Sequence, residues 1–101
     1  MSRARISRSA QRDLREIRAY IAEHGTAAAA ARWIGTLRAR CHRLADTPGM
    51  GWPREELGPG LRSLAVGDYL IFYKEVLGTV VIVHVVHGAR DLERLFGEEG
   101  G

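Results

Sequence analysis

Cysteine, lysine and proline are scarce in this 101-residue chain, and each scarcity excludes something. Cys41 is the only cysteine, so an internal disulfide and a four-cysteine metal site are ruled out, and a reducing cytoplasm is the expected compartment. No apolar run approaches the roughly 20 residues that a membrane-spanning helix needs, so no membrane association is expected. The basic start Met1-Ser2-Arg3-Ala4-Arg5 is followed by no apolar stretch of the secretory type, which argues against a leader peptide. Lys74 is the only lysine among 15 basic residues; the rest are arginine, and against 12 acidic residues they leave a net charge of +3. This excess fits contact with nucleic acid, because a guanidinium presents a planar fork to phosphate. It fits equally the codon bias of a GC-rich genome.

What is present is an ordinary folded composition, 46% hydrophobic and 27% charged, in a chain long enough for one core. Residues 3–7 alternate as a short first strand. Ala10, Leu14, Ile17 and Ile21 then recur on one helical face, with Ser7 or Ser9 available as cap and Gly25 as a left-handed terminator. Thr26 caps a second helix with Ala30, Ile34, Leu37, Cys41 and Leu44 inward, and so short a link forces an antiparallel helical hairpin. All three prolines and four glycines fall in residues 46–60, which reads as a loop. Strand patterns follow at 61–66, 69–75 and 79–87, the last a Val-rich run suited to the centre of a sheet. Residues 90–96 can form a short C-terminal helix. The expected fold is α+β, ordered β-α-α-β-β-β, with the helical hairpin on one face of a small, mostly antiparallel sheet. Residues 1–96 are expected to form one domain, with 97–101 as a flexible tail.

Gly67-Asp68 reads as a two-residue turn, which sets Val66 opposite Tyr69, Leu64 opposite Ile71 and Arg62 opposite Tyr73. These six share one side; Leu61, Ser63, Ala65, Leu70 and Phe72 share the other. If the next turn holds an even number of residues, Val80, Ile82 and His84 join the first side. The helices can cover only one side. Because Arg62 and two tyrosine hydroxyls need water or a partner, the expectation places the helices on the Phe72 side. That leaves Arg62, Leu64, Tyr69, Ile71 and Tyr73 as an open apolar binding face.

Several segments together resemble the ParE/RelE superfamily of toxins, and its ParE branch most. They are the helix from Ser7 to Ile21, the loop Asp46-Thr47-Pro48-Gly49-Met50-Gly51, the entry Leu57-Gly58-Pro59-Gly60-Leu61-Arg62-Ser63, the hairpin Val66-Gly67-Asp68-Tyr69-Leu70-Ile71-Phe72-Tyr73, and the end Val86-His87-Gly88-Ala89-Arg90-Asp91-Leu92. The resemblance covers roughly residues 4–96. It implies the toxin of a bacterial type II toxin–antitoxin pair, of the kind tied to plasmid stabilisation, with a cognate ParD-like antitoxin bound in a hetero-oligomer. ParE-type members are known as inhibitors of DNA gyrase and RelE-type members as ribosome-dependent mRNA endonucleases.

Cleaving RNA through its 2′-hydroxyl needs a base, an acid and a cation for the crowded phosphate. Arginine supplies only the cation. The one site the sequence offers combines Arg62 and Arg90 as clamps with His87 or Glu56 as the proton handler. His84 and His87, three apart on one strand, point to opposite faces and cannot share a phosphate. RelE-type nucleases, by the resemblance, gather several lysines and arginines with a base and often a terminal aromatic, whereas here the tail aromatic is the non-ionising Phe96. The expectation is therefore a protein-binding toxin, with DNA gyrase as the target that the ParE resemblance implies. Its antitoxin contact would be Arg62, Leu64, Tyr69, Ile71 and Tyr73, and its target contact Arg90, Leu92, Leu95 and Phe96. An endoribonuclease and a non-toxic antitoxin-binding module are the alternatives. No metal-ligand spacing or phosphate loop is present, and no cofactor is expected.

Overall fold

The structure, a computed structural model, describes residues 3–88; the expected C-terminal helix and tail lie outside them. The elements are β1 (Arg3–Ile6), α1 (Arg8–His24), α2 (Ala27–Arg43), β2 (Trp52–Pro53), β3 (Arg62–Val66), β4 (Tyr69–Val76) and β5 (Thr79–His87). They form one five-stranded sheet in the order β1-β5-β4-β3-β2, antiparallel except for the parallel β1–β5 pair at one edge. Both helices begin where the caps were expected: Ser7 Oγ accepts from the Ala10 amide and Thr26 Oγ1 from the Ala29 amide. Gly25 differs. Its φ of −146° is not left-handed, so α1 ends without the expected glycine cap conformation. The proline-rich loop also contains a short strand, β2, that the breakers in the sequence conceal.

The hairpin register holds residue for residue: Val66 faces Tyr69, Leu64 faces Ile71 and Arg62 faces Tyr73. The second turn, Leu77-Gly78, also holds two residues, so Val80 and Ile82 continue the same side. A bulge at Phe72/Tyr73 then sets His84 opposite Phe72 and Val85 opposite Ile71. Val85, not His84, therefore extends that side and is buried.

The choice of side is reversed. The helices pack on the tyrosine side: Ala10, Leu14, Ile17, Ile34, Leu37, Cys41 and Leu44 form one core with Val66, Tyr69, Ile71, Tyr73, Val80, Ile82 and Val85. Leu64, Ala4 and Ile6 pack against this cluster. The physical reason is apolar area. The tyrosine side carries an almost uninterrupted apolar surface, and each large side chain it buries contributes about 1.5–3 kcal/mol. The other side receives the alternate residues Arg3, Arg5 and Lys74, all exposed, whose charges would be costly under a helix.

The assignment of sides is directly measurable. Ile71→Ala should lower unfolding stability by about 2–5 kcal/mol in chemical denaturation. Ala65→Glu, on the helix-free side, should stay within about 0.5 kcal/mol of the parent. The opposite ranking would return the helices to the Phe72 side.

Candidate functional site

Arg62 and Tyr73 need not face solvent because the loop over residues 46–61 satisfies them. The Tyr73 hydroxyl accepts from the Gly51 amide at 2.7 Å and donates to the Pro48 carbonyl at 2.8 Å. Arg62 Nη1 donates to the Gly51 carbonyl at 2.8 Å. Gly51 is fixed by close approach, since a Cβ there would lie 2.6 Å from the Tyr73 hydroxyl and 2.7 Å from the Ser63 carbonyl. Two of the residues expected to recognise a partner thus clamp the protein's own loop. Tyr69 lies in the core between Trp33 and His87, with ring centroids 5.8 and 5.6 Å away, and Ile71 is fully buried. Of the five expected antitoxin contacts, only Arg62 and Leu64 retain partial exposure, so the face as first assigned is not a surface.

Among the described residues, the groups weighed for RNA cleavage are not brought together. Arg62 sits beside Tyr73, whereas His87 sits opposite Tyr69, four residues earlier in β4 and on its other flank. Strand geometry puts their Cα atoms roughly 16 Å apart. Glu56 is exposed and pairs with Arg54 at 3.5 Å. Arg90, and the expected target contacts Leu92, Leu95 and Phe96, lie outside the described residues.

The surface open to another molecule is the part of the helix-free side that the chain's own loop leaves uncovered, since Ser63 and Phe72 on that side are buried. At one end Arg3, Ala4, Arg5, Val76, Leu77, Thr79 and Val81 line a groove of about 490 Å³. Leu77 projects there wholly exposed from a turn position at φ 50°, where a leucine is strained and an asparagine or glycine would be at ease. Neither burial nor turn chemistry accounts for a leucine at that point. Towards the middle, a row of partners runs Trp52, Ser63, Phe72, His84 across four strands; Trp52 is 77% exposed at the edge, whereas Ser63 and Phe72 are buried. Arg54 Nε donates to Ser63 Oγ within this row. The face is therefore apolar in its floor and cationic at Arg3, Arg5 and Lys74. Sequence reasoning missed it because the Arg3-Ala4-Arg5-Ile6 alternation tells which residues share a side only once β1 is placed beside β5.

Asp13 was also missed. Its Oδ2 accepts from the Val85 amide at 3.0 Å and lies 2.9 Å from His84 Nδ1, where β1 has ended and the edge of β5 would otherwise be open. Arg8, Arg12 and Arg15 are exposed on the outer side of α1. Cys41 is core, and burial pushes its thiol up from 9.0 to about 11, partly opposed by the positive charge of Arg38. Among the described residues no cluster of histidine, cysteine or carboxylate groups could hold a metal, and no helix is long and apolar enough to cross a membrane.

Comparison with known proteins agrees with this architecture. The family model described as ParE toxin of type II toxin-antitoxin system, parDE, matches residues 4–92. Toxin ParE1 of Caulobacter vibrioides is 37% identical over 83 residues, covering 82% of this chain and 85% of the relative. Toxin ParE1 of Mycobacterium tuberculosis is 31% identical over 94 residues, covering 92% and 96%. The structure of a chromosomal ParDE system from P. aeruginosa superposes with a TM-score of 0.76 over 86% of this chain and 96% of that one, at 17% identity, a likeness of fold. The toxin–antitoxin complex RelBE2 of M. tuberculosis gives 0.64 over 85% and 96%, at 26% identity.

Two outcomes follow from the clamp and from the buried thiol. Tyr73→Phe strands a loop amide and carbonyl and should cost about 1–3 kcal/mol of stability, read by thermal or urea unfolding. The Cys41 thiol ionises more easily when unfolded, so its contribution to stability is complete below pH 9 and is lost as pH rises towards 11. A stability titration of the parent and of Cys41→Ala should show a larger loss over that window in the parent, the difference being the thiol's share.

Proposed function

The chain belongs to the ParE toxin family of type II toxin–antitoxin systems, and we propose that it acts by binding DNA gyrase and is silenced by a cognate antitoxin seated on the helix-free side of the sheet. The observation that carries the antitoxin seat is the pairing of an apolar floor with three exposed cations. A segment with acidic residues flanking apolar ones would complement it, and charge complementarity of this kind sets partner choice and association rate. The wholly exposed Leu77 supplies an apolar knob at the end of the groove. Family membership supports the gyrase reading, and the separation of Arg62 from His87 favours it over phosphoryl chemistry at those residues. Arg90, Leu92, Leu95 and Phe96 are the proposed target contact.

Purified toxin should abolish supercoiling by gyrase and leave in vitro translation intact; codon-specific mRNA cuts would establish the nuclease instead, and silence in both assays the non-toxic binding module. Combining Arg5→Glu with Leu77→Asp should weaken antitoxin binding by at least about tenfold, which is about 1.4 kcal/mol. Arg32→Glu, on the exposed side of α2, should not. Equal affinity for the parent and the double variant would remove the seat from this side.

A further inference from the structure

Beside the groove, sharing none of its lining residues but taking Lys74 from the side proposed for the antitoxin, lies a cleft of about 240 Å³ between the 57–61 loop and the bulged part of the β4–β5 pair. At about 30 Å³ per water it has room for roughly eight waters, and it falls below the roughly 300–1,000 Å³ of sites for drug-sized ligands, so it suits a ligand of about one residue. Its walls are mostly apolar: Leu57, Pro59, Leu61, Phe72 and Val83. Two polar side chains interrupt them, Lys74 and His84. Lys74 is an exposed ammonium with no ion pair among the described residues. His84 is oriented from behind. Asp13 Oδ2 lies 2.9 Å from its Nδ1 while also accepting from the Val85 amide. A carboxylate can only accept, so Nδ1 carries the proton and Nε2 is the ring nitrogen left for a ligand, where a neutral imidazole accepts a hydrogen bond. A site with one cation, one oriented acceptor and apolar walls fits a carboxylate placed next to an N–H donor on an apolar body.

We propose that this cleft binds an N-acyl amino acid, with the carboxylate on Lys74, the amide N–H on His84 Nε2 and the apolar side chain against Leu61, Phe72 and Val83. The same chemistry is presented by a free N-acylated amino acid and by the last residue of a polypeptide. Asp13 is a positioning residue for His84. The site needs neither gyrase nor an antitoxin, and its test uses the toxin alone.

Isotope-labelled full-length protein is titrated with three ligands and followed by NMR. N-acetylphenylalanine should perturb Lys74 and His84 and bind at least about tenfold more tightly than N-acetylphenylalaninamide, which lacks the charge, or 3-phenylpropionate, which lacks the N–H. Lys74→Met should erase the preference over the amide, and His84→Leu the preference over phenylpropionate. Asp13→Asn keeps an oxygen for the Val85 amide; it should shift the His84 ring ¹⁵N resonances towards the other tautomer and weaken N-acetylphenylalanine by several-fold. A peptide ending in phenylalanine that binds more tightly than N-acetylphenylalanine identifies a polypeptide terminus as the source, and equal affinity identifies the free N-acyl amino acid. Failure of both to bind, equal affinity for all three small ligands, or perturbations confined to residues outside the cleft would overturn the proposal.

Discussion

The Tyr73 hydroxyl decides how this molecule is arranged. It sits at the rim of the sheet side that the helices cover, and a buried phenol without partners would make that side costly to bury. The backbone of the 46–61 loop removes the cost by giving it a donor at Gly51 and an acceptor at Pro48. Arg62 adds a second tie to the same loop, through the Gly51 carbonyl. With those groups satisfied, Tyr69, Ile71, Tyr73 and Val85 become core, and the side carrying Arg3, Arg5 and Lys74 is left for other molecules.

This arrangement also explains how the edge of β5 is closed. β1 is only four residues long and pairs with β5 as far as Ile82. From there the start of α1 takes over: the Ser7 amide donates to the Ile82 carbonyl, Ser7 Oγ to the Val83 carbonyl, and Asp13 receives the Val85 amide. An exposed strand edge is a template for unwanted pairing, and a helix laid along it blocks that pairing. The same contact orients His84 towards its cleft, so one carboxylate serves the sheet edge and a side chain on the helix-free surface.

Function, in this reading, divides by side. The helical side is committed to stability, and substitutions there are felt as unfolding. The open side combines apolar floor, three cations and an exposed leucine held in a strained turn, none of which the fold requires. The chain belongs to the ParE toxin family, and an antitoxin is the occupant proposed for that side.

Local order alone settled a great deal. The 3.6-residue spacing of Ala10, Leu14 and Ile17, the serine and threonine caps, and the Gly67-Asp68 turn fixed both helices, the hairpin and which hairpin residues share a side, because each depends on neighbours in the chain. Which side faces the helices could not be read the same way. It depends on the pairing of β1 with β5, some 76 residues away, which turns Arg3 and Arg5 outward, and on a loop folding back to meet a tyrosine hydroxyl. The bulge that exchanged Val85 for His84 is likewise a property of two strands together. Periodicity reports what lies on one face; only the assembled sheet, where apolar area and unsatisfied polar groups compete across distant segments, determines which face is buried.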